Sequence, residues 1–542
     1  MTNGDIMLKQ NCWIVVILIL VLFSIGTSQT ERWVYRYNGP GNSTDQASSL
    51  VYGGDGNIYI AGLSYGSGTS RDFTVISLTS TGTQRWVYRY NGPGDSTDVA
   101  NSLVYGADGN IYVAGMSTGS GTGSDFTVIS LDSTGTQRWV YQYNAPGNGS
   151  DLANSLVYGA DGNVYIAGYS TGSGTYYDFT VISLNSTGTQ RWVYRYNGPA
   201  NSWDLANSLV YGADGNIYIA GYSTGSGTSY DFTVISLSSF GTERWVYRYN
   251  GPGNFMDYAY SLVYGADGNI YIAGYSYGIG TSDDFTVISL SSTGTERWVY
   301  RYNGPGSGSD VAYSLVYGAD GNIYIAGWSY GTTDDFTVIS LSSTGNQRWV
   351  YRYNGPGSGY DYAKSLVYGA DGNIYVAGES WGIGTYEVFT VISLSSTGTQ
   401  RWVYRYNGPG NYMDYAYSLV YGADGNIYVA GRSDGSGTDD DFTVISLNPA
   451  IGIEEETADR LPHFAIRCFG NKIELSLTLS QPANIPISVY NITGEKVFAF
   501  DISASAGTSH HEKDLSFLPT GVYIVKADIE DRSLSKKFVV VK

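Results

Sequence analysis

The chain is short of the side chains that most often carry chemistry. It has 2 Cys and 3 His in 542 residues. Cys12 and Cys468 cannot build a disulfide framework. From residue 31 to 450 there is no His and no Cys, and Lys364 is the single Lys. A His-based triad, a Cys nucleophile and a His-ligated zinc site are therefore excluded from that stretch. Charged residues make up 14%, against about 25% in ordinary globular chains. Lys and Arg number 29 against 48 Asp and Glu, a net charge of −19. Clustered basic residues, which duplex binding needs against phosphate, are missing, so no nucleic-acid partner is expected. Helical periodicity is absent, and no run is free of Gly and Pro for long enough to build a helix. Gly has no three-residue period, which excludes collagen.

One long apolar run exists, Trp13 to Ile25. Lys9 precedes it and Gly26-Thr27-Ser28-Gln29-Thr30 follow. That order of charge, apolar core and small residues predicts an export signal over 1–29. The run is shorter than the ~18–20 residues that span a bilayer, so no stable membrane span is expected. An uncleaved anchor is the alternative.

Gly (72) and Tyr (52) are abundant, and the aromatic content is 15%. Both belong to a repeat. Arg-Trp-Val-Tyr places Trp at 33, 86, 139, 192, 245, 298, 349 and 402, a period of about 50 residues. Within one unit, Leu103–Tyr105 leads through Ala107-Asp108-Gly109-Asn110 to Ile111–Ala114. Asp-Gly and Gly-Asn between β-rich runs mark a hairpin, because Gly and Asn tolerate positive φ. Phe126–Leu131 and Trp139–Tyr143 supply two further strands. Four antiparallel strands per repeat is the arithmetic of a β-propeller blade; a β-helix or stacked sandwiches are the alternatives. The region starts with a lone fourth strand, Trp33–Tyr37, and ends with three, Leu419–Leu447. Pairing the first with the last closes an eight-bladed ring over 31–447 and leaves no open edge.

The repeated Ser-Leu-Val-Tyr-Gly-Ala-Asp-Gly-Asn-Ile-Tyr and Asp-Phe-Thr-Val-Ile-Ser-Leu, followed by Gly-Thr-Gln-Arg-Trp, resemble the SBBP-type bacterial propeller repeat. The resemblance implies an extracellular propeller and little about activity. The strand-Thr-Gly-x-x-x-Trp element is also similar to quinoprotein dehydrogenases, whose cofactor chemistry implies a distinct calcium site and, usually, adjacent Cys; no adjacent Cys pair exists here.

After Leu447 the repeat stops. Residues 448–462 read as a linker, and 463–542 as a small Ig-like β-sandwich with strands at Ile473–Leu479, Ile487–Tyr490, Lys496–Phe500, Gly521–Ala527 and Lys537–Val541. A generic fibronectin-like domain is the alternative. Ile487–Val497, Leu515–Val525 and Lys536–Lys542 resemble the C-terminal sorting domain of type IX secretion cargo. That implies recognition by outer-membrane export machinery, and a secreted or outer-surface location on a Gram-negative-type bacterium. His510-His511-Glu512 reads as a solvated loop rather than a metal site.

Asp45, Asp98 and their equivalents recur in every copy, and Asp72, Asp125 and theirs in all but one, where Val388 stands. Repetition of one environment is the opposite of the two differently tuned carboxylates that acid–base catalysis needs. These Asp are expected to bind backbone N–H groups or a repeated Arg. No cofactor is expected; hard-oxygen ligation of calcium stays open, without EF-hand-like spacing.

Divergence between copies concentrates in the two long loops of each unit, which strand alternation puts on one face. Trp203, Phe255, Tyr277, Trp328, Tyr330, Tyr360, Trp381 and Tyr412 accumulate there. Rings beside Asn, Ser and Asp suit a glycan or a protein partner. The expectation is a secreted, non-enzymatic adhesion or binding protein. The alternatives are a hydrolase or lyase using carboxylates on that face, hinted at by Glu379, Glu387 and Arg432, and a structural surface component.

Overall fold

The computed structural model describes residues 31–449 and the strands of a C-terminal unit between 463 and 540. The expected signal, 1–29, and most of the expected linker lie outside the described residues. The chain divides into two compact units, at Glu454/Glu455. All regular structure among the described residues is β.

The first unit is eight four-stranded antiparallel sheets. Blades 1 to 7 run consecutively, 46–90 to 361–406, with strands in chain order. Blade 8 combines three strands of 414–447 with Glu31–Tyr37, whose Val34 faces Ile445. The first strand of each blade lies beside the first strand of the next, and that of blade 8 beside that of blade 1. These strands therefore surround the ring axis, and the expected eight-bladed closure is observed.

The cores lie at the seams between blades. At one seam Tyr112, Phe126 and Val128 of blade 2 pack on Leu156, Ile166 and Ile182 of blade 3. At the closing seam Tyr428, Phe442 and Val444 of blade 8 pack on Leu50, Ile60 and Ile76 of blade 1. Each seam is pinned by Trp. The Trp86 indole N–H donates to the Ser133 carbonyl of the next blade (3.1 Å), and its ring lies under Gly135, where φ is +85° and a Cβ would sit 2.6 Å from the indole. Tyr59 stacks on Tyr105 across the same seam (5.6 Å).

The strands extend further than the apolar runs suggest. In blade 2 they are Asp98–Tyr105, Ile111–Thr118, Ser124–Leu131 and Gln137–Tyr143. Gly115 sits mid-strand because a Cβ there would come 1.9 Å from the Val99 carbonyl oxygen. A bulge between Ala100 and Ser102 further masks the alternation.

The second unit is a small sandwich of two sheets. One holds His463–Phe469, Lys472–Leu479 and Gly507–Asp514. The other holds Ala483–Asn491, Lys496–Ala504, Gly521–Ile529 and Arg532–Val540. Ile487, Val489 and Val525 are fully buried. His510-His511-Glu512 is not a loop: it lies in a strand, with His511 opposite Leu475. Its polar run lacks an apolar alternation, which hid the strand.

Candidate functional site

Within each blade the two tight turns fall at one end of the ring and the two long loops at the other. The repeated Asp hold the long-loop end together. Asp98 accepts the Gly92 and Thr118 backbone N–H groups (2.7 and 3.0 Å). Burial nevertheless pushes its carboxyl up to about 6, the backbone bonds drawing it partly back. The second Asp set pairs with the repeated Arg, as in Arg89–Asp72 and Arg301–Asp284 (both 2.6 Å). Two blades break the pair. Gln142 replaces the Arg in blade 2 and turns to Ser117 Oγ (2.8 Å); burial then raises the Asp125 carboxyl above its ordinary value. In blade 7 Val388 replaces the Asp, and Arg405 donates to the Trp381 carbonyl (3.1 Å).

The eight aromatic residues expected at a ligand face fall into small groups. Trp203, 40% exposed, meets Tyr177 edge-on (5.2 Å). Phe255 meets Tyr277 (5.3 Å). Tyr360 is parallel to Tyr362 (6.3 Å), on whose ring Trp328 stands edge-on (5.5 Å). Trp381 and Tyr412 both meet Tyr386 (5.8 and 4.5 Å). Tyr330 packs under Gly308, where a Cβ would lie 2.4 Å from its ring. Phe255, Tyr360 and Tyr412 are also exposed; Tyr277, Trp328, Tyr330 and Trp381 are half-buried. These last four lie in second strands, not in loops, because the strand continues through the glycine that precedes each variable position.

Beneath the loops is a second variable layer. At two seams three such positions meet: one in a blade's second strand, one opening its third strand, and the second residue of the next blade's first strand. Between blades 4 and 5 these are Tyr222, Tyr230 and Tyr258, in mutual ring contact at 4.3–5.4 Å. Between blades 6 and 7 they are Trp328, Asp334 and Tyr362, the Tyr362 hydroxyl donating to Asp334 (2.8 Å). Sequence reasoning missed these first-strand positions. The signal was available as unlike residues at one repeat position, Gln46, Val99, Leu152, Tyr258, Tyr362 and Tyr415 among them.

The seam of blades 7 and 8 is charged. Glu379 is 3% exposed. Its Oε1 lies 3.4 Å from Lys364 Nζ. Burial pushes its carboxyl up to about 7, the Lys364 ammonium pulling it back. The Lys364 ammonium also sits over the Tyr313 and Tyr362 rings (4.5 and 4.8 Å). Within blade 8, Arg432 of the second strand pairs with Asp440 of the third (2.8 Å) and lies over Tyr415 of the first (4.7 Å), so it borders this seam from the blade 8 side. Burial pushes the nearby Tyr417 phenol up to about 12, with Arg432 opposing. Glu379 Oε2, Glu387 Oε2 and Arg432 Nε are buried and lack a hydrogen-bond partner among the described residues. No group of three or more His, Cys, Asp or Glu converges as a metal site among the described residues. No helix among them is long and apolar enough to cross a membrane.

Residues 470–541 match the family of secretion-system C-terminal sorting domains. The protein is thus exported, to the outer surface or exterior of a Gram-negative-type bacterium, and its tail engages the type IX export machinery. No curated protein matches the chain significantly. Similar solved structures include an α-L-arabinofuranosidase from Clostridium thermocellum, at 16% identity and TM-score 0.29 over 48% of this chain and 95% of that one. A Synechocystis apocarotenoid oxygenase variant is 10% identical, at TM-score 0.37 over 70% and 94%. A eukaryotic initiation factor is 10% identical, at 0.34 over 86% and 98%. Likenesses at this level have no bearing on function. What the fold and the match together define is an exported, eight-bladed all-β propeller carrying a sorting domain.

Proposed function

We propose that the protein is a non-enzymatic surface propeller that binds a glycan or protein ligand through its long-loop face. In this reading 1–29 is a cleaved signal, 31–447 the SBBP-type binding ring, 448–462 a linker and 463–542 the export module. One observation carries it: eight near-identical repeats differ from one another chiefly at one end of the ring, and aromatic residues are prominent among the differences there. Rings such as Tyr360 and Tyr412, 52% and 44% exposed, can stack on a sugar C–H face or anchor a protein contact. The tight turns at the other end keep one sequence in nearly every blade. Purified full-length protein should bind glycan arrays or host-surface extracts. Tyr360→Ala and Tyr412→Ala together should weaken that binding tenfold or more with unchanged melting. Binding within twofold of the parent would reject this face.

A further inference from the structure

The charged seam between blades 7 and 8 departs from a rule the chain itself writes. At the second-strand position, blades 1 to 6 carry Leu63, Met116, Tyr169, Tyr222, Tyr275 and Trp328; blades 7 and 8 carry Glu379 and Arg432. The same fold is thus completed six times without charge at this place. A buried charge is costly even when paired, and apolar replacement of such pairs is often neutral or stabilising. Folding therefore does not require Glu379 or Arg432, and their presence calls for another reason.

The atoms indicate what the seam would take. Glu379 Oε2 and Glu387 Oε2 are acceptors with no partner among the described residues, and Arg432 Nε is a donor with none. Tyr415 lies with Arg432 over its ring and feels Glu379 and Glu387 electrostatically. Lys364 and Arg432 side chains stay 26% exposed and form the solvent edge of the cluster; the Glu379 and Glu387 oxygens behind them are sealed, so a ligand reaches them by displacing these two long side chains. A ligand that satisfies both kinds of group must donate and accept together. A hydroxyl does so, and an ammonium or carboxylate does not. An anionic ligand would meet Glu379, Glu387 and Asp440; a cationic one would meet Lys364 and Arg432. A neutral sugar ring with vicinal hydroxyls meets neither obstacle, and its C–H face fits a Tyr ring.

We propose that the seam of blades 7 and 8 is a subsite for a neutral hexopyranose unit of a polysaccharide, with Glu379 and Glu387 accepting from its hydroxyls, Arg432 donating to them and Tyr415 packing on the ring. The assignment rests on the binding reading above and gives it a ligand class and a place on the ring.

The repeat supplies safe variants. Glu379→Leu installs the residue of blade 1, and Arg432→Met that of blade 2. Full-length protein is tested by biolayer interferometry on immobilised neutral glucan, mannan and galactan, with a polyuronate and chitosan alongside. The parent is expected to bind a neutral polysaccharide. Each seam variant should bind it at least tenfold more weakly while keeping one cooperative melting transition, at a lower temperature than the parent because Lys364 or Asp440 loses its partner. Glu379→Gln, which keeps the shape and one acceptor, should fall between. Seam variants that bind within twofold of the parent would overturn the subsite while Tyr360→Ala and Tyr412→Ala still report on the face. A parent that binds only polyuronate, only chitosan or only protein would overturn the neutral-sugar assignment. A parent that binds nothing would overturn both.

Discussion

Blades 2 and 7 perform at single residues the experiment a mutagenesis study would choose. Six blades pair an Arg with an Asp at 2.6–2.8 Å, and two each lack one partner. Asp125 is left with a buried carboxyl and no Arg beside it. Gln142→Arg should restore the pair. The equivalent Arg side chains are about 20% exposed, so solvent screening limits the gain to about 1 kcal/mol. Urea denaturation of the two proteins checks this, and an unchanged or lower midpoint contradicts it. Residue identity also governs the loop entering each blade. Asn42, Asp95 and Asn148 hold φ of 49–54°, a left-handed conformation that Asn and Asp tolerate best. The first residue of the variable stretch is thus conformationally constrained, while the residues after it are freer to vary.

At the level of elements, a seam is where one blade's fourth strand meets the next blade's turn. Gly135 serves twice there, supplying positive φ and clearance for Trp86. Gly135→Ala should strain the backbone and press on the indole, costing about 2–3 kcal/mol. Trp86→Phe would relieve part of the clash, so the double variant should recover stability; thermal denaturation reads both. The hairpins were legible because Asp-Gly-Asn turns and β-rich runs are local. Strand ends were not. Asp98 and Gly115 look like loop residues in a sequence window, but both sit in strands for reasons lying elsewhere: backbone donors at Gly92 and Thr118 for the Asp, and the Val99 carbonyl for the Gly. The same blindness put Trp328 and Trp381 in loops. His510 and His511 were missed because their strand is known only by its partner, Lys472–Leu479.

For the whole molecule, eightfold repetition multiplies a small effect. Burial pushes the first-strand carboxyls up, Asp98 and Asp151 to about 6, Asp310 and Asp414 to about 7. Between their ordinary value and these, the folded ring holds more protons than the unfolded chain. Stability therefore falls as pH rises through that window and is recovered on acidification. Self-repulsion acts in the same direction, since residues 31–450 hold 35 acids and 18 bases. The melting temperature at pH 5.5 should exceed that at pH 8; a profile flat or inverted over this range would remove the account. Closure by Glu31–Tyr37 makes the ring one body. Its first strand is held by Tyr404, whose hydroxyl donates to Glu31 (2.6 Å), as well as by pairing with blade 8.

Repetition let the sequence alone determine the blade count, the strand order and the closing strand, because spacing, turn chemistry and an unpaired strand at each end are properties of the chain read along its length. The sorting tail was readable for the same reason, from contiguous motifs. The aromatic loops were visible as divergence between copies. What only the tertiary structure decided is which of those divergent residues meet. Glu379, Lys364 and Tyr415 stand 53, 68 and 17 positions before Arg432 along the chain; their grouping exists because seams join the second strand of one blade to the first strand of the next. Burial and charge pairing are set by that packing, and no reading of one repeat at a time contains it.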